Sequence, residues 1–158
     1  MIQFLIKLKN KRRIQKLLLS FYDEIKKNLE RFYVMDQRQF IDGGFQTRCW
    51  DGLKTTNEFN FSARIIHYGS AMENFNQAFA SYKEYERWYA ADLKNKTPEN
   101  AQKLHAQKHE LDLKLKKMDD VIIPAGEELE KFLIAMNILK WPTNFLPFPN
   151  LINSSAMS

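Results

Sequence analysis

Residues 61–94 read FSARIIHYGSAMENFNQAFASYKEYERWYAADLK, and their spacing decides the fold. Phe61, Tyr68, Phe75, Tyr82 and Tyr89 recur every seven residues, with Ile65, Met72, Phe79 and Leu93 interleaved and only Glu86 out of type. A seven-residue repeat sustained this long predicts a helix over residues 60–94 that packs lengthwise, in coiled-coil fashion. At the helical rise of 1.5 Å per residue it is about 50 Å long.

Beyond this stretch, Asn95-Lys96-Thr97-Pro98-Glu99 marks a boundary. Thr97 suits an N-cap, Pro98 suits a first helical position that needs no N–H partner, and Glu99 complements the helix dipole. So short a connection makes the next helix antiparallel to the one before it. That third helix continues through Leu104, Leu111, Leu115, Met118, Ile122, Ala125, Leu129, Phe132, Met136 and Leu139, with Lys108 its one polar seam residue. Pro124 sits inside the pattern without disturbing its phase. One helix kinked just before Pro124 is the reading, with a fourth segment after Pro124 as the alternative.

On the N-terminal side, Ile14, Leu18, Phe21, Ile25, Phe32 and Met35 step by four and three, and Asn28 fills one seam position. This predicts a first helix over residues 14–40, stopped by Asp42-Gly43-Gly44. Residues 43–59 read as irregular, with turns at Gly43, Gly44 and Asp51-Gly52 and one helical turn around Gln46–Trp50. Asn57 or Asn60 is the expected cap of the second helix.

The fold class is therefore all-α: an elongated up-down-up three-helix antiparallel bundle with a kinked third helix and an extended C-terminal tail. Residues 1–13 form an arm that extends the first helix backwards, residues 14–140 the bundle, and residues 141–158 the tail. Trp141, Phe145, Leu146 and Phe148 are too apolar for an idle linker, which points to a tail packed back on the bundle. The last residues, 153–158, are expected to fray. Up-down-up order also puts the arm and the Asn95–Thr97 turn at one pole, where Lys94 and Lys96 would join the arm's charge.

The net charge of +5 is unevenly placed. Lys7, Lys9, Lys11, Arg12, Arg13 and Lys16 precede the first acid, Asp23, and the rest of the chain is close to balance. Ile2, Phe4, Leu5, Ile6 and Leu8 accompany them. Their longest unbroken run is three residues, against roughly 20 for a spanning helix and roughly 7–15 for a secretory core, so both of those readings fail. Aliphatic anchors beside basic groups suit an interfacial segment. Without a secretory signal the sequons at Asn60, Asn95 and Asn153 carry little weight.

No catalytic motif stands out. His105 and His109 have the spacing of two metal ligands on one helix, with His105 beside the core and His109 toward solvent, but Lys108 between them opposes a cation. The paired Glu-x-x-His of di-metal bundles is absent. Cys49, the one cysteine, forms no internal disulfide; Arg48 beside it would favour the thiolate, and His67 is the only candidate base by proximity. The aromatic stripe has core periodicity and too few interleaved cations for a base-stacking platform. Tyr85, Trp88 and Ile66 fall off that seam and suit a second contact face.

The resulting expectation is a non-enzymatic interaction or scaffolding module without cofactor, metal or catalytic residues, located in the cytoplasm and associated with a membrane. Phe4, Leu5, Ile6, Lys7, Lys9, Lys11, Arg12, Arg13 and Lys16 would bind an anionic membrane surface or an acidic protein. A protein partner or a second copy of the chain is also compatible with the bundle. Two alternatives are a nucleic-acid-binding protein using the same arm and a metal- or small-ligand-binding bundle. The neutral body and the missing recognition motif count against nucleic acid.

Overall fold

The computed structural model describes residues 2–37, 44–56 and 61–139, with the side chains of the first helix from Asn10 to Asp36. Among these residues there is no strand. Four helices form: α1 (Ile2–Gln37), α2 (Arg48–Lys54), α3 (Ala63–Ala91) and α4 (Pro98–Ala135), with a 3-10 turn at Leu93–Asn95 before α4. The expected tail, the stop at Asp42-Gly43 and the caps Asn57 and Asn60 lie outside the described residues. In their place Ser62 stands at the N-cap position of α3 without a capping hydrogen bond.

The expected seams form most of the core, with one correction: the second helix ends at Ala91, short of the expected residue 94, so Leu93 falls in the following turn and is 81% exposed. Leu18, Phe21, Ile25, Asn28, Phe32 and Met35 of α1 are buried, as are Ile65, Tyr68, Met72, Phe75, Phe79 and Tyr82 of α3. The ring of Phe75 stacks on Phe79 at 5.9 Å and meets the edge of Phe45 at 4.9 Å. The α3–α4 boundary also forms as read: Thr97 accepts from the Asn100 amide at 3.1 Å, and Pro98 opens the helix.

The chain direction differs from the expectation. Phe21 of α1 lies beside Phe61 and Tyr68, with ring centroids 6.4 and 6.2 Å away. Seven residues on, Asn28 donates to the Tyr68 hydroxyl at 2.8 Å and to the Met72 sulfur at 3.3 Å. Arg31 then donates to the Gly44 carbonyl, and the following residue, Phe45, bonds to Asn76. So α1 and α3 advance in the same direction. Opposed to both runs α4: Arg64 pairs with Glu128 at 3.7 Å, Tyr85 donates to Asn100 at 3.4 Å, and Tyr22 donates to Glu130 at 3.0 Å.

Up-down-up is thus corrected to up, return, up, down. The physical reason is the connection from residue 38 to residue 62. At roughly 3.3–3.6 Å per extended residue it can carry the chain back along the whole bundle before α3 begins, whereas only short loops force antiparallel neighbours. The Leu93–Asn95 turn therefore stands at the pole opposite the arm, and Lys94 and Lys96 do not add to the arm's charge.

Within the return segment, Gly44 adopts φ +62, where an added Cβ would also collide with the Asn76 side chain. Two carboxamides then bracket the backbone as a neighbouring strand would. Asn76 accepts from the Phe45 amide and donates to its carbonyl, and Asn28 does the same for Gln46, every bond at 2.8 Å. Next comes α2, longer than the expected single turn and running through Gly52, so the Asp51-Gly52 turn is corrected to helix.

As read, α4 is one helix that runs unbroken through Pro124, and the alternative of a separate fourth segment falls away. Its buried seam passes from Ala125 to Leu129 to Leu133, leaving Phe132 40% exposed where the heptad placed it inside. Two successive steps of four rotate the contact line around the helix, as a stutter does in a coiled coil.

Candidate functional site

Asn10, Lys11, Arg12 and Arg13 are all exposed. Because an α-helix completes a turn in 3.6 residues, four consecutive exposed positions leave the helix free on every side at that level. Ile14 and Leu17 are half-buried against the core, Lys16 is exposed, and Leu18 is fully buried. The helix enters the packed body within about one turn. Its backbone is continuous from Ile2, so Phe4, Leu5, Ile6, Lys7 and Lys9 occupy the same helix. Their side chains lie outside the described residues.

The structure does not gather the other candidates into a site. His105 and His109 are both exposed on α4, which corrects the placement of His105 beside the core. Among the described residues no group of three or more His, Cys, Asp or Glu could hold a metal ion. Cys49 is half-buried on α2. Burial pushes its thiol pKa up and the facing Glu24 carboxylate adds to this, while Arg48 pulls the other way with less effect. The expected activation by Arg48 is therefore overturned. A thiol held in its protonated form is a poor nucleophile. His67 is exposed on α3.

Several buried polar groups were not singled out from the sequence. Glu24, 5% exposed, accepts from the amides of Cys49 at 2.9 Å and Trp50 at 3.2 Å. It supplies the N-terminal capping that Thr47 does not, since the Thr47 hydroxyl turns to Asp51. Desolvation raises the Glu24 pKa, and the two amide bonds partly offset this. Trp50 lies beside Gly69, where any Cβ would overlap its indole, and its Nε1 donates to Glu73 at 2.9 Å. Lys54 bridges Glu73 and Asp51. On the far side, Tyr22 and Glu130 make a buried bond between α1 and α4. Only Asn28 carried a signal, as a polar residue on a seam. Glu24, Gly69, Asn76 and Glu130 reveal themselves only once their partners are placed.

Among the described residues, three concavities bear on function. One of about 240 Å³ is lined by Leu18, Phe61, Ser62, Ile65, Glu128, Leu129 and Phe132. A second, about 310 Å³, lies between α3 and α4 with Gln77, Ser81, Gln107 and Lys114 among its walls. A third, about 850 Å³, follows α3 from Asn76 to Arg87. There Lys83 sits over the Phe79 ring at 5.7 Å and meets Glu86 at 3.4 Å. Hydrogen bonding from Tyr82 holds the Glu86 carboxyl below its ordinary range, and burial carries the Tyr82 hydroxyl up to about 12. No histidine or cysteine is among the described residues that line any of the three.

Of the sequence-derived sites, the exposed basic helix end is the one the geometry sets apart. No helix among the described residues is long and apolar enough to cross a membrane. Comparison with protein-family models, curated proteins and solved structures finds no match to this chain.

Proposed function

We propose that the protein is a non-catalytic scaffolding module whose N-terminal helix end attaches it to an anionic membrane surface. The observation that carries this reading is the exposure of all four residues from Asn10 to Arg13 on a helix continuous with the core. A cation on such a helix reaches a surface without unfolding anything, and one rooted at Leu18 transmits the attachment to the whole bundle. Each basic residue near an anionic surface contributes about 1 kcal/mol, so Lys7, Lys9, Lys11, Arg12, Arg13 and Lys16 together suffice for reversible binding. Phe4, Leu5 and Ile6 add apolar contact at about 0.8 kcal/mol per buried CH₂.

The test is co-sedimentation with phosphatidylserine-containing vesicles. Binding is expected at low salt, to weaken as salt rises, and to disappear when the six basic residues are replaced by Gln. Phe4→Ser with Ile6→Ser should weaken vesicle binding while sparing binding to duplex DNA, which relies on phosphate contacts. Intact protein that ignores anionic vesicles at low salt overturns the proposal.

A further inference from the structure

The cavity at the root of the arm has a chemically unfinished wall. Its volume of about 240 Å³ falls below the roughly 300–1,000 Å³ of small-molecule pockets and suits an inserted side chain instead. Leu18, Phe61, Ile65, Leu129 and Phe132 make it apolar. Within that lining the Ser62 Oγ is buried and has no hydrogen-bond partner among the described residues. A buried hydroxyl calls for a partner, so the occupant should bring a donor or acceptor as well as apolar surface.

The chain itself approaches this wall. After α4 ends, Asn137 takes φ +58, and the amides of Ile138 and Leu139 both donate to the Leu133 carbonyl, at 2.9 and 3.3 Å. This turns the chain back, and Met136, Ile138 and Leu139 pack against the core. Leu133 adjoins Phe132 and lies one turn beyond Leu129, both lining residues. The sequence then continues as KWPTNFLPFPNLINSSAMS from residue 140, with a single charged residue, Lys140, and large apolar side chains that include Trp141, Phe145, Leu146 and Phe148. Pro142, Pro147 and Pro149 restrict that segment in advance, which lowers the entropy lost on docking. Trp141 follows Leu139 by two residues, a reach of about 7 Å.

We propose that residues 140–158 dock on their own bundle, with the Trp141 indole filling this cavity and its Nε1–H donating to Ser62. The occupant is the chain's own segment, and the site is independent of whether the arm binds lipid.

Amide hydrogen exchange on the full chain tests this without lipid. Trp141→Ala should speed exchange at least tenfold in residues 61–66 and 128–133, with residues 111–118 unchanged. Trp141→Phe, which keeps a ring and loses the N–H, should fall between the two. If Trp141→Ala loosens the whole molecule instead, a peptide of residues 140–158 added in excess decides: saturable restoration at 61–66 supports docking, and no restoration overturns it. Unchanged exchange in Trp141→Ala also overturns it. So does protection in the native chain that rises with protein concentration, because the occupant is then the segment of a second copy.

Discussion

At Asn28 one carboxamide serves three parts of the molecule. From α1 it brackets Gln46 in the return segment and reaches Tyr68 and Met72 on α3. Asn28→Ala would leave the fully buried Tyr68 hydroxyl without this partner and break both part-buried bonds to the Gln46 backbone. A loss of about 3 kcal/mol in urea denaturation is expected, with a loss under half a kcal/mol meaning that water replaces the carboxamide. Glu24 gives a pH signature. Burial raises its pKa, so between the ordinary glutamate value of 4.5 and the raised one the folded state holds more protons than the unfolded state. Stability from this group is therefore greatest at low pH and declines as pH rises through that window. Glu24→Gln should remove that decline, which denaturation midpoints measured across the window would show.

Among the elements, α2 shows where a sequence falls silent. Seven residues with Gly52 near the middle do not make a helix by propensity. Glu24 capping, Trp50 against Gly69 and Lys54 on Glu73 make it, and all three depend on partners 19 or more residues away. Gly69→Ala should accordingly shift near-ultraviolet circular dichroism and tryptophan fluorescence, since the Trp50 ring has to move. The long helices were legible because a stripe of alternating three and four steps needs no knowledge of its partner. Boundaries followed where a local cap wrote them, as at Thr97-Pro98. At Pro124 the chain lacks the N–H that would reach the Asp120 carbonyl while α4 continues. Pro124→Ala should stabilise the fold, by up to about 3 kcal/mol in chemical denaturation.

At the scale of the molecule, periodicity identified which faces meet but not which way the strands of the bundle run. A face reads the same in either direction, and only the length of the 38–62 connection hinted that the chain could return before α3. The basic arm was legible as composition, and the exposure of all four residues from Asn10 to Arg13 is what the structure adds. If the arm stands outside the core, removing residues 1–12 should leave the melting temperature within a few degrees while abolishing vesicle binding. Retention of binding, or collapse of the fold, would place those residues elsewhere.

The parallel course of α1 and α3 carries a kinetic consequence. Antiparallel α3 and α4 meet through a tight turn, so their contacts close small loops first. The Tyr22–Glu130 bond, by contrast, joins residues 108 apart in the chain. Loop-closure entropy places that contact late on the folding route. Substitutions inside the α3–α4 hairpin, such as Leu115→Ala, should mainly slow refolding. Tyr22→Phe and Asn28→Ala should leave the refolding rate nearly unchanged and accelerate unfolding, because the interactions they remove form after the barrier. Docking of α1 is then the last event of folding and the first to be undone.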